Sequence, residues 1–173
     1  MNIQDRFKKI KAFIFDVDGV LTDGTVLLLE NGLQARRMYI KDGYALQLAI
    51  RRGYRIMVVS GADESTVTPR LRKLGITDIH FAVSDKKNAV EEYMHQHQLA
   101  ADNILFMGDD MPDLPVMAVV GVSACPADAV PEIRDAARYI SQRNGGNGCV
   151  RDVIEIVLKL NEHWEYQPGI ASR

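Results

Sequence analysis

The chain has little of several things that would settle its class at once. It carries only two cysteines, Cys125 and Cys149, in 173 residues. Two thiols cannot make a disulfide framework, and they point to a reducing, cytoplasmic setting. Charge of one sign is also lacking: 21 Lys and Arg stand against 23 Asp and Glu, for a net −2. That balance excludes a nucleic-acid binder relying on a broad basic face. No run approaches the ~18 apolar residues of a membrane span, and the longest candidate, 114–124, contains Pro115 and Gly121. The basic start (Arg6, Lys8, Lys9, Lys11) is followed by only four apolar residues before Asp16, too few for a signal-peptide core. Repeats and low-complexity segments are absent. What remains is 47% apolar and 25% charged, the balance of a water-soluble globule. At about 150 residues per domain the length predicts one domain, drawn here as 1–164, with 165–173 a loose tail.

Short apolar runs alternate with helical patterns. Strands are expected at 12–15, 55–59, 79–83, 104–107, 120–124 and 138–140, each too short and too uniformly apolar for a half-exposed sheet. Helices are expected at 42–52, capped by Asp42 and stopped by Gly53, then at 65–74, 87–98, 114–119, 130–137 and 150–164. This alternation predicts an α/β fold, a doubly wound, Rossmann-like parallel sheet. Residues 25–40 break the pattern. They read as a β-hairpin flap turning at Asn31-Gly32, with a continuously apolar first arm, Val26 to Leu29. That arm serves either a partner interface or the chain's own core. The glycine-rich stretch 144–148 reads as a mobile loop.

The polar residues directly after the strands form an ordered set. The first strand ends in Asp16-Val17-Asp18-Gly19, the second in Ser60-Gly61, and the fourth in Gly108-Asp109-Asp110-Met111-Pro112-Asp113, while Lys86 opens the helix after the third. A doubly wound sheet collects all of these at the carboxyl edge of its strands. Converging carboxylates repel one another unless a cation offsets them. A set of hard oxygens favours Mg²⁺ over Zn²⁺. One of Asp16 and Asp18 can attack phosphorus while the other moves a proton. Ser60, Lys86 and the backbone N–H groups near Val17 and Gly61 can hold phosphoryl oxygens. Asp109 and Asp113 complete the metal set. Each of these residues alone reads equally well as a helix cap or turn former.

The ordered set resembles the four motifs of the haloacid dehalogenase superfamily of phosphotransferases, over nearly the whole chain. The resemblance implies that Asp16 is the nucleophile and Asp18 the general acid/base. It also implies that Mg²⁺ is bound by Asp16, the backbone carbonyl of Asp18 and Asp109, with Asp113 in support. Lys86 takes the lysine role, with Lys87 its neighbouring candidate. The segments 22–41 and 60–86 are too short for the cap domain of many relatives, so no cap is expected. The chain looks most similar to the small-flap phosphatases of 3-deoxy-D-manno-octulosonate (KDO) 8-phosphate, an intermediate of lipopolysaccharide synthesis. The matching stretches are Leu21-Thr22-Asp23-Gly24, Lys41-Asp42-Gly43-Tyr44, Gly108 to Met117 and Gly145 to Asp152. The subfamily implies a phosphorylated sugar acid as substrate and a homotetramer whose neighbouring subunit closes each site. No nucleic-acid or membrane partner is expected.

The chain departs from the pattern at Ala62-Asp63, where many relatives carry an arginine. The substrate is therefore KDO 8-phosphate or a related nine-carbon sugar-acid 9-phosphate. A non-catalytic assembly module is a third reading, which the intact Asp16, Asp18, Lys86 and Asp109 oppose. Lys41 either holds an anionic group of the sugar or is solvated, and Arg151 either reaches a neighbour or sits in its own helix. The histidines show no ligand spacing, and the two cysteines are read as packing residues.

Overall fold

The computed structural model describes residues 2–63 and 66–171. In chain order it contains α1 (Ile3–Lys8), β1 (Ala12–Phe15), β2 (Leu27–Leu28), β3 (Gln34–Ala35), α2 (Asp42–Arg51), β4 (Arg55–Val59), α3 (Thr68–Lys73), β5 (Asp78–His80), α4 (Lys86–Gln96), β6 (Ile104–Met107), α5 (Leu114–Met117), β7 (Val122–Cys125), α6 (Pro131–Ala136), β8 (Tyr139–Ile140) and α7 (Cys149–Leu160). Six strands form one parallel sheet in the order β5-β4-β1-β6-β7-β8. Alternate residues of β1 serve opposite faces. Phe13 and Phe15 pack with α1, α2, α3 and α7, whereas Ala12 and Ile14 pack with α4, α5 and α6. Both faces are covered, which is why the central strands β1 and β6 are apolar and buried at every position. The doubly wound fold is as expected.

Several boundaries differ, each for a local reason. The third strand of the expected order stops at His80 rather than running to 83. Beyond it Ala82 adopts φ 54°, and the N–H groups of Ala82 and Val83 donate to Ala62 and Ser60 of the neighbouring loop. The last helix ends at Leu160, leaving Trp164 on a loop. The start of the helix expected at 65 lies outside the described residues, and α3 is described from Thr68. Helix α1 has no counterpart in the sequence reading, although Asn2 accepts the Asp5 N–H at 2.8 Å as an ordinary N-cap.

The hairpin is shorter than its sequence pattern. Only Leu27–Leu28 and Gln34–Ala35 pair, with one further bridge, Thr22 to Met38, at the root. The turn is a three-residue loop, Glu30-Asn31-Gly32, rather than a two-residue Asn-Gly turn. Leu29 and Leu33 close it, and Gly32 takes the left-handed conformation at φ 80°. Leu27 and Leu28 are 64% and 74% exposed, so the first arm does not fold over the chain's own core.

Two segments read as loose are held. The 144–148 loop donates from Gly146 to Val20 O at 2.9 Å and from Gly145 to Asp128 Oδ1 at 2.8 Å. A side chain at Gly145 would collide with the Gly19 carbonyl, so glycine is required for this close approach. The tail is laid along α2. Arg51 donates to the carbonyls of Pro168 and Gly169 at 3.2 and 3.0 Å, and Gln47 to that of Ala171 at 2.7 Å. Tyr44 meets Trp164 edge-on with centroids 5.9 Å apart.

Candidate active site

The parallel order β4-β1-β6 brings the residues that follow these strands to one edge. Asp16 leaves β1 still extended (φ −69°, ψ 166°), and the chain then makes a single wide turn, Val17–Leu21, closed by the Thr22 N–H on Val17 O. Asp18 is extended inside that turn and Gly19 is left-handed at φ 81°. The stretch is thus not the uniformly extended segment that the Asp-x-Asp spacing suggests.

Asp16, Asp109 and Asp113 each offer one carboxylate oxygen, and these atoms lie within 4.8 Å of one another. Lys86, 6% exposed, reaches from the first residue of α4 to Asp16 Oδ1 at 3.0 Å and Asp113 Oδ1 at 2.7 Å. The other oxygen of Asp113 accepts the backbone N–H groups of Asp109 and Asp110 at 3.0 and 3.4 Å. With both oxygens engaged, Asp113 holds Lys86 and the Asp109 loop in place. Among the described residues, Asp16 and Asp109 keep oxygens free of protein partners, as an ion requires.

The electrostatics fit that division. Burial, then the charge of Asp113, pushes Asp16 up to about 7 against the pull of Lys86. Burial, then Asp16, Asp113 and Asp110, pushes Asp109 up to about 7. Burial alone would lower the Lys86 ammonium, but Asp16 and Asp113 outweigh it and raise it. Three carboxylates sharing one cationic side chain are under-neutralised. A divalent cation fits this set of buried hard oxygens.

The other expected residues divide. Ser60 is buried at the end of β4, with its Oγ accepting the Ala62 N–H at 3.2 Å. The Val17 N–H points back to the Asp16 carboxylate at 2.7 Å. Gly61 is exposed beside the Ala62-Asp63 loop. The Asp18 carboxylate is outside the acid cluster and pairs instead with Arg36 of the flap, at 2.7 and 3.2 Å. Lys87 is half-buried and, among the described residues, makes a long pair with Glu91 at 3.8 Å, which separates it from Lys86. Lys41 is not brought to the acid cluster. It lines a cleft of about 660 Å³ with Tyr39, Arg143, Asn147, Arg151 and Lys159.

Two residues of this region were missed or misplaced by sequence reasoning. Arg36 carries no signal, because a basic residue just after a short flap strand is ordinary. Asp42 is the first residue of α2 rather than its cap. Its buried carboxylate accepts the Arg151 N–H at 3.0 Å in the first turn of α7. Burial pushes it up to about 7 against that bond and the charges of Arg151 and Arg70.

Residues 73–154 match the haloacid dehalogenase-like hydrolase family. The chain is 34% identical over 159 residues to the 3-deoxy-D-manno-octulosonate 8-phosphate phosphatase KdsC of Escherichia coli K12, covering 90% of this chain and 85% of that one. The chain belongs to the haloacid dehalogenase-like hydrolases. Within that family, the crystal structure of 3-deoxy-D-manno-octulosonate 8-phosphate phosphatase from Yersinia pestis superposes with a TM-score of 0.90 at 32% identity, covering 93% of this chain and 87% of that one. The enzyme of the same name from Moraxella catarrhalis, solved with magnesium, phosphate and KDO, superposes with a TM-score of 0.88 at 31% identity, covering 91% of each chain. The six-stranded parallel sheet is therefore the hydrolase sheet of this family.

Proposed function

We propose that the chain is a Mg²⁺-dependent phosphatase that hydrolyses KDO 8-phosphate to KDO and phosphate. The observation that carries the reading is the acid cluster around Lys86, in a chain of this family. Asp16 is the nucleophile. Its free oxygen attacks phosphorus, and the bond from phosphorus to the sugar oxygen breaks as Asp18 gives that oxygen a proton. Water then attacks the phosphoryl-aspartate, Asp18 takes its proton, and Asp16 is released with phosphate. Lys86, Ser60 and the N–H groups of Val17 and Gly61 steady the phosphoryl oxygens. The Val17 N–H must turn from Asp16 to do so. Asp16, Asp109 and the carbonyl of Asp18 would hold the magnesium ion, with Asp113 behind them. The ion supplies charge neutralisation and polarisation of the phosphoryl group.

The catalytic unit is residues 1–164, with the flap in place of a cap. It works as a homotetramer in the cytoplasm. The exposed apolar arm of the flap supports a buried subunit contact there, and Lys41 meets substrate across that contact. The nine-carbon alternative has a specific observation behind it. Ala62 and Asp63 line a cleft of about 420 Å³ with the flap residues Gly32, Leu33, Gln34 and Arg36, and neither is the arginine that the family resemblance leads one to expect at one of these two positions. Phosphate release with Mg²⁺ from KDO 8-phosphate, nine-carbon sugar-acid 9-phosphates and hexose phosphates tests the assignment. Preference for the eight-carbon ester is expected. Preference for the nine-carbon ester would move the specificity and keep the chemistry. Asp16→Asn is expected to fold and to release no phosphate.

A further inference from the structure

We infer that Arg36 is a positioning residue, a clamp by which the flap sets the orientation of Asp18. The inference rests on the phosphatase reading for its consequence, since Asp18 is the proton shuttle there, but the clamp itself rests on geometry. Arg36 Nε donates to Asp18 Oδ1 at 2.7 Å and Nη2 to Oδ2 at 3.2 Å. This is the two-pronged pairing in which a guanidinium fixes a carboxylate's plane as well as its place. The Arg36 side chain is 7% exposed, against 34% for Asp18. A third bond comes from the Thr22 hydroxyl to Oδ1 at 3.3 Å. Thr22 is also the residue whose backbone bridges to Met38 at the flap root. The flap therefore grips the catalytic turn twice, once by backbone and once by side chain.

Little else among the described residues holds the flap arms down. Arg37, next to Arg36, points outward to Asp23 at 2.9 Å and is 84% exposed. Thr66 reaches the Gln34 carbonyl at 3.5 Å, and Leu27 and Leu28 face solvent. Arg36 thus lies between the Ala62-Asp63 cleft on one side and Asp18 on the other. The guanidinium belongs to the flap, so the orientation of the Asp18 carboxylate is tied to where the flap sits. In the seated flap the same carboxylate is held in one orientation. The flap's seat and the placement of the Asp18 oxygens are therefore linked.

The consequence differs with the leaving group. An alkoxide needs its proton as the phosphorus–oxygen bond breaks, and positioned proton transfer contributes on the order of 10²–10⁴-fold. A nitrophenolate needs it far less. With the Mg²⁺-loaded enzyme, Arg36→Ala is expected to lower kcat for glycerol 1-phosphate at least tenfold further than kcat for p-nitrophenyl phosphate. Arg36→Lys should recover part of the difference, since it restores one donor. Equal losses on both esters, or no loss, would overturn the positioning role. Melting temperatures of wild type, Arg36→Ala, Asp18→Ala and the double variant decide the clamp without turnover. The double variant is expected to melt no lower than the weaker single variant, and strictly additive losses would overturn the pairing. A wild type inert to every phosphate ester would overturn the phosphatase reading, and the melting cycle would still decide the clamp.

Discussion

Lys86 and Lys87 are chemically identical neighbours with opposite fates. Lys86 faces inward to Asp16 and Asp113, and Lys87 faces solvent and Glu91. Removing a donor that stabilises transition-state charge costs on the order of 10²–10³-fold in rate. Lys86→Ala is therefore expected to lose activity on that scale, and Lys87→Ala less than threefold. Steady-state rates at saturating Mg²⁺ check this, and equal losses would reverse the assignment. The carboxylates make a second prediction. Asp16 and Asp109 are raised from 3.8 to about 7. Between those values the folded chain keeps protons that the unfolded chain has released, so metal-free stability falls as pH rises through that window. Melting temperatures in EDTA are expected to drop from pH 5 to pH 7.5. Mg²⁺, bound by the ionised forms, should remove most of the drop. Asp42 is also raised to about 7, by burial rather than by the acid cluster, so a smaller decline should persist with metal. A slope indifferent to Mg²⁺ would take Asp16 and Asp109 out of the metal site.

At the scale of elements, the segment from His163 through the tail braces the fold. Trp164 lies edge-on to Tyr44 of α2, and the Arg151 guanidinium sits 5.3 Å from its ring. His163 Nδ1 is 2.9 Å from the Tyr54 hydroxyl. These contacts tie α2, α7 and the start of β4 together. Truncation after Glu162 strips the aromatic pair and the bonds from Gln47 and Arg51, at an expected cost of about 2–4 kcal/mol. Urea denaturation of the truncated chain measures it, and an unchanged midpoint would make the strap ornamental. The sequence reading failed here for a plain reason. A polar, aperiodic nine-residue segment carries no internal signal, and its bonds run to residues 117 and 118 positions away. The 144–148 loop failed likewise, since glycine reads as freedom until the Gly19 carbonyl is seen against Gly145. The hairpin, by contrast, was legible from its Asn-Gly turn, and only its turn type and extent were not.

At the scale of the whole molecule, the flap is the feature whose apolar surface the chain itself leaves uncovered. Val26, Leu27, Leu28, Leu29, Leu33 and Ile40 are each at least 40% exposed, and apolar surface gathered on one small element is of the kind that marks an interface. Deleting residues 26–38 is expected to give smaller assemblies and low activity, through loss of the proposed subunit contact and of Arg36 together. Light scattering decides the first, and an unchanged mass would place the subunit contact elsewhere. What the sequence by itself determined was the sheet and the acids at its edge. Strands buried on both faces must be apolar at every position, so the first polar residue after each one marks the carboxyl edge, and Asp16, Ser60 and Asp109 are found there. Which partner each carboxylate meets was decided only by tertiary structure, the guanidinium of Arg36 for Asp18 and the backbone N–H of Arg151 for Asp42. Asp18 to Arg36 spans 18 residues and Asp42 to Arg151 spans 109. No local periodicity encodes such pairings, because they exist only once the flap and α7 have been laid against the catalytic turn and α2.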